Sequence, residues 1–176
     1  MLDIKERRKG TMSPFFISYM RVKERTIEII NEYIPEDHFI VSVDYDVNSA
    51  KNRLTIILDG DEGISIDVCA LISRKVGYFL EEEEILDEEY NLQVSSPGAD
   101  APFTALRQYY KNVGRDVKVV TEEGERIGTL EEVDENKILL RELTTAADKG
   151  RKAKYAKETI EIGIDSILKI NVIITF

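Results

Sequence analysis

The sequence predicts an α+β fold in two parts, a helix-on-sheet sandwich followed by a small β-barrel. Three observations point there. Over residues 19–97 the apolar residues switch spacing in the order helix, strand, strand, helix, strand. Over residues 103–176 helical spacing nearly stops, and five short alternating runs follow one another across tight turns. Between the two lies "VSSPGAD", residues 94–100, whose proline and glycine interrupt both patterns.

Residues 1–18 show no period and hold Pro14, so they are expected as a flexible arm, with Phe15, Phe16 and Ile17 as apolar surface for a neighbour. From Tyr19, the residues Val22, Thr26, Ile29, Ile30 and Tyr33 fall on one helical face, which Pro35 ends. "FIVSVDYDV" (39–47) alternates, with Phe39, Val41, Val43, Tyr45 and Val47 on one face of a half-buried strand. "NSAKN" is a turn, and "LTIILD" (54–59) completes a hairpin. Ser65 can cap a second helix, with Asp67 complementing the dipole of its first turn. Its apolar stripe is Val68, Leu71, Ile72, Val76 and Phe79. "EEEE" (81–84) opposes the negative helix end, so the helix should stop there, and "YNLQVS" (90–95) is a third strand.

After "SSPG", "FTALRQYYKNVG" (103–114) reads as a short amphipathic helix or turn ended by Gly114. The five barrel strands are expected at 116–121, 126–134, 137–143, 159–164 and 168–176, with "TEEGE" and "DENK" as hairpin turns.

Composition narrows the function classes. The 176 residues suit one large domain or two small ones. No apolar run approaches the roughly 18 residues of a membrane span, and "MLDIKERRKG" is too charged for a secretory leader. The expected setting is a reducing cytoplasm without membrane attachment. Cys69 is the only cysteine and His38 the only histidine, which excludes internal disulfides and most zinc or histidine-triad chemistry. The net charge is −10, but unevenly spread. Residues 20–98 hold 7 basic and 18 acidic residues, whereas 99–176 hold 13 and 14. The first part should repel nucleic acid, and the second offers local contact surfaces.

"SSPG" fits no catalytic motif. A nucleophile elbow needs G-x-S-x-G and a base, and a phosphate loop needs G-x-x-x-x-G-K-[ST]; neither is present. The reading that remains is a hinge of Ser95, Ser96, Pro97 and Gly98, in which proline stiffens the chain, glycine supplies a positive-φ turn and the serines bond their own backbone. The acidic clusters "DYD", "DGDEG" and "EEEEILDEE" lack a calcium-loop pattern and read as solvated surface. Cys69 is expected partly buried and inert, and His38 structural. The most informative stretch is "TTAADKGRKAKYAK" (144–157). Lys149, Arg151, Lys152, Lys154 and Lys157, with Tyr155 among them, suit RNA backbone contact with stacking. The bland alternative is a solvated hairpin tip whose lysines discourage aggregation. A second basic cluster, Arg107, Lys111 and Arg115, follows the hinge beside Tyr109 and Tyr110, which are more often core residues than stacking platforms.

The stretches "GISIDVCALISRKV" and "YNLQVSSPGADAPFTALRQYYKNVGRDVKV" resemble the ribosome maturation factor RimP family, and "RIGTLEEVDENKILL" is similar to the strand-turn-strand of an Sm-like barrel. The likeness runs from about Tyr19 to Phe176. It implies a KH-like α+β domain at 19–97, a hinge at 98–102 and an Sm-like barrel at 103–176 with the basic insertion 144–157, preceded by the arm at 1–18, which the likeness does not cover. It further implies a non-enzymatic, cytoplasmic monomer without cofactor or metal. Such a protein would bind the free small ribosomal subunit through ribosomal RNA and small-subunit proteins, and promote its maturation. The sequence departs from the family pattern at Ala99 and Ala101, where leucine and arginine are common. If that arginine touches RNA, the insertion is a candidate replacement. Two readings from other classes compete: a general Sm-like RNA chaperone forming a ring, and a metal-assisted hydrolase built on the acidic clusters.

Overall fold

The computed structural model describes residues 14–47, 52–86, 89–145 and 153–174, with side chains from Tyr19 onward. The N-terminal half is a three-stranded sheet under two helices. Helix α1 spans Pro14–Tyr33, β1 His38–Asp46, β2 Asn52–Gly60, α2 Ile66–Glu82 and β3 Tyr90–Ser95. β1 and β2 pair antiparallel and β2 and β3 parallel, so α2 is the crossover that a parallel pair requires.

α1 starts ahead of its apolar period. Pro14 is its first residue, a position where the missing N–H costs nothing and the fixed φ suits the helix. Residues 14–18, expected within the arm, are therefore helical; residues 1–13 and the turn at 48–51 lie outside the described residues. The expected stripe packs inward: Val22, Ile29 and Ile30 are fully buried with Leu54, Ile56 and Leu58 of β2 and Ile72, Val76 and Leu80 of α2. Thr26 is buried on the same face because its hydroxyl donates to the Val22 carbonyl at 2.7 Å. Ser65 caps α2 by accepting from Val68 N at 3.3 Å. Ser65→Ala should lower thermal stability by about 0.5–1 kcal/mol, measured as a shifted melting midpoint; no shift would mean that water replaces the cap.

α2 stops at Glu82, and Glu84 takes a left-handed φ of 48°. Arg25 of α1 offsets the acidic end, its Nε and Nη2 donating to the two Glu83 oxygens at 2.7 and 2.6 Å. That fork holds the Glu83 carboxyl below its ordinary pKa.

One expectation for β1 needs correction. A bulge between Ile40 and Ser42 leaves Val41 out of register, so the outer part of the strand changes face. Ile40, opposite Leu58, joins the core with Val43 and Tyr45. Phe39, opposite Asp59, belongs to neither hydrophobic core yet is only 9% exposed.

The C-terminal half begins with α3, Leu106–Lys111, followed by β4 Asp116–Thr121, β5 Gly124–Val133, β6 Lys137–Thr145, β7 Lys154–Tyr155, β8 Ile160–Gly163 and β9 Ile167–Val172. The expected strands are all present; β7 is additional and lies inside the basic stretch. The hydrogen-bonded path is β7-β6-β5-β4-β9, with β8 also on β6. β8 and β9 therefore sit at opposite edges, yet only the 3₁₀ turn Ile164–Ser166 joins them. A flat sheet would part these edges by four strand spacings, roughly 19 Å, whereas three residues of 3₁₀ helix span about 6 Å. The sheet must curl. It does not close, because no ladder links β8 to β9 among the described residues, which corrects the expected barrel to an open, curled sheet.

The curl wraps Val117, Val119, Leu130, Ile138, Leu140 and Ile170, all fully buried, while Phe103 and Tyr109 plug one end edge-to-face at 5.3 Å. At Gly128 the strands approach so closely that a methyl group would strike the Arg141 carbonyl. Gly114, at φ 85°, turns the chain from α3 into β4, as expected of it.

Candidate functional site

The first expected basic cluster sits at the junction of the halves. Residues 107 and 111 are one helical turn apart, so α3 presents both on one face. Tyr109 points the other way, into the C-terminal core, and Tyr110 is exposed. Gln108, 3% exposed, fixes the start of the helix by accepting from Thr104 N at 2.8 Å and Ala105 N at 3.1 Å.

Arg107 and Lys111 are both engaged by the N-terminal half. Arg107 donates to the two Asp61 oxygens at 3.2 and 2.6 Å and to the carbonyls of His38 and Glu36 at 3.2 Å each. Its guanidinium lies 4.7 Å from the centre of the Phe39 ring. This is where the β1 bulge sends Phe39. Lys111 Nζ meets Asp59 Oδ1 at 2.6 Å, and Asp59 is only 7% exposed. The two pairs latch the halves together. Arg107 holds the Asp61 carboxyl below its ordinary pKa. A lowered folded-state pKa makes this contribution available above the ordinary aspartate range and removes it as pH falls through the folded value. The latch should therefore loosen in acid and in high salt, because Asp61 and Arg107 are about half exposed.

In sequence Asp59 and Asp61 belong to an acidic cluster that suits solvated surface, whereas the fold gives each a cation across the junction. The available signal is position: Asp59 is the penultimate residue of a buried strand and precedes Gly60, where a methyl group would meet the Gly63 carbonyl. His38 Nδ1 lies 2.7 Å from Asp37 Oδ1. Cys69 is partly buried, and burial pushes its thiol pKa up, away from reactivity.

The junction itself runs from Ser95, the end of β3, through Ser96 and Pro97 to Gly98, whose carbonyl accepts from Ala101 N at 2.9 Å. Gly98 does not use positive φ, contrary to expectation. Ser96–Ala99 form one wall of a pocket of ≈ 270 Å³ whose other side includes Lys111 and Arg115.

Of the basic stretch, Lys149, Arg151 and Lys152 lie outside the described residues. Lys154 and Lys157 are exposed. β7 holds Tyr155 opposite Leu143 of β6, and the phenol donates to Asp116 Oδ2 at 2.7 Å. Thr129 donates to the other Asp116 oxygen at 2.8 Å. The bond to Asp116 raises the Tyr155 pKa and keeps the phenol protonated at neutral pH. Arg115, bonded to Asn112 Oδ1 at 3.0 Å, is otherwise exposed. Arg115 and Tyr155 line one shallow pocket of ≈ 430 Å³. The fold thus joins one member of each basic cluster, with Lys154 next in the chain.

Among the described residues no three His, Cys, Asp or Glu side chains converge to hold a metal, and no helix is long and apolar enough to cross a membrane.

Comparison with known proteins follows the same lines. The profile of the RimP N-terminal domain matches residues 29–100. A ribosome maturation factor RimP from Christiangramia forsetii is 36% identical over 119 residues, covering 68% of this chain and 75% of that protein. A second, from Cytophaga hutchinsonii, is 31% identical over 147 residues, covering 78% and 86%.

Proposed function

The chain belongs to the ribosome maturation factor RimP family, and from that premise we propose that it is a non-enzymatic, cytoplasmic assembly factor that binds the free small ribosomal subunit and promotes its maturation. In this reading the sandwich is KH-like and the curled sheet Sm-like. The observation that carries an RNA contact is the convergence of Arg115 and Tyr155 on one pocket, with the exposed Lys154 next to Tyr155 in the chain and the basic stretch leading into β7. A guanidinium for phosphate and an aromatic ring on which a base stacks are what a single-stranded or looped RNA segment uses. Arg107 and Lys111 contribute by holding the two halves in register, and reach RNA only if the latch exchanges carboxylate for phosphate. The acidic N-terminal half supports selectivity, since it opposes indiscriminate RNA coating.

Co-sedimentation with free small subunits, whole ribosomes and naked RNA tests the proposal. Binding to free small subunits alone is expected; equal binding to naked RNA would favour a general chaperone. Changing Lys149, Arg151, Lys152 and Lys154 together to alanine should alter folding by no more than about 0.5 kcal/mol per site. It should weaken subunit binding and flatten its salt dependence by up to about 3 in slope, at roughly 0.7 per phosphate contact. Unchanged affinity and slope would remove these four residues from the interface and leave Arg115 and Lys157 as the cations to test.

A ring-forming chaperone is the alternative. Rings join such subunits through strand edges, and Phe103 N already takes the Ile170 carbonyl of β9 at 2.8 Å. Light scattering should give one 20.1 kDa chain; a sixfold or sevenfold mass would reject the monomer.

A further inference from the structure

The gap in the curled sheet lies apart from the Arg115–Tyr155 pocket and has a different chemistry. It is a groove of ≈ 700 Å³ between the β4–β5 turn, β8 and the start of β9. Among the described residues β8 pairs only with β6 and β9 only with β4. Each therefore turns a row of unpaired backbone donors and acceptors toward the gap. Phe103 covers β9 at Ile170 but leaves Leu168, which is 66% exposed. Ile160 and Leu168 supply apolar surface, and Glu122, Glu161 and Asp165 stand around them. Arg126, the one cation lining the groove among the described residues, is committed to Glu142 at 2.9 Å and Glu123 at 3.6 Å. Glu161 is tied to Lys137 at 2.7 Å, while Glu122 and Asp165 have no ion pair among the described residues.

We infer that this groove takes an extended, basic segment of a protein partner, added as a strand to the free edge of β8. An unpaired edge beside the half-buried Ile160 and the exposed Leu168 fits a strand, whose backbone extends the ladder from β8 and whose alternate side chains reach these two residues. The carboxylates at the rim select lysine or arginine on the opposite side chains and repel RNA. The inference goes beyond the RNA contact: it assigns a second surface, of opposite charge, to a second kind of partner.

The test uses the full chain and a labelled ten-residue peptide of alternating lysine and valine. Anisotropy should show saturable binding, and amide NMR shifts should concentrate at residues 160–168. A glutamate–valine peptide, a ten-nucleotide uridine RNA, and the lysine peptide N-methylated at alternate residues should each bind at least tenfold more weakly. The triple variant Glu122→Gln, Glu161→Gln, Asp165→Asn should weaken the lysine peptide at least tenfold with an unchanged melting midpoint. If that variant melts early, Leu168→Ser, at an exposed site, should give a comparable loss. Equal affinity for the variants, shifts confined elsewhere, RNA in the groove, or no binding by 1 mM peptide would overturn the inference and leave the acids as guards against edge-to-edge self-association. Equal binding of the N-methylated peptide would overturn strand addition. These outcomes do not depend on whether the chain binds a ribosomal subunit.

Discussion

Leu140→Ala should destabilise the C-terminal half by about 2–5 kcal/mol and leave the melting of the N-terminal half in place, while Ile56→Ala should do the reverse. Both side chains are fully buried, and they belong to different hydrophobic clusters. Removing three carbons from a packed site loses their transfer free energy and adds a cavity that the neighbours only partly fill. The cost is a large fraction of what holds a domain of this size folded. Among the described residues the halves meet through the latch, the junction and one contact of the Thr104 hydroxyl with the Val41 carbonyl at 3.5 Å, while the two hydrophobic clusters stay separate, so the damage should remain local. Hydrogen exchange read separately for β2 and β6 amides makes the check. If either substitution exposes both halves equally, the two cores melt as one unit and the reading of two domains fails.

Lys111→Met should cost the docked state about 2–3 kcal/mol, somewhat less than the loss of one partner from a wholly buried pair. Methionine keeps most of the aliphatic stem but leaves the Asp59 carboxylate, 7% exposed, facing the interface without a cation. One bond from Gly60 N at 2.9 Å remains to it. Asp59→Ala combined with Lys111→Met removes both charges and should recover most of the loss, because the penalty lies in the orphaned charge rather than in the missing bond. Small-angle scattering should show a larger radius of gyration for Lys111→Met, with both cores still folded. Arg107→Ala should open the junction less, since Asp61 is half exposed and water takes over its solvation. An unchanged radius and stability for Lys111→Met would mean that Phe39 and the carbonyl contacts of Arg107 hold the junction unaided.

Much of this was legible in the chain because it is local. The α1 stripe from Val22 to Tyr33, the Ser65 cap, the stop at "EEEE" and the Gly114 turn each depend on neighbours a few residues away, where periodicity and capping speak directly. The quoted motifs were enough to suggest the family that the comparisons then showed. What was missed locally was missed for local reasons: Pro14 reads as a breaker but also starts helices, and a bulge such as that at Val41 leaves no mark in an alternating run. Tertiary structure alone decided the roles of the charges. Asp59 and Asp61 look like solvated surface and Arg107 and Lys111 like an RNA patch until the fold brings them together across some fifty residues. Arg115 and Tyr155 share a pocket because β4 and β7 lie near each other through Asp116, which no spacing encodes. Burial and spacing set the elements, but the partner of a charge is chosen by distance in space, and a curled sheet makes that distance independent of position along the chain.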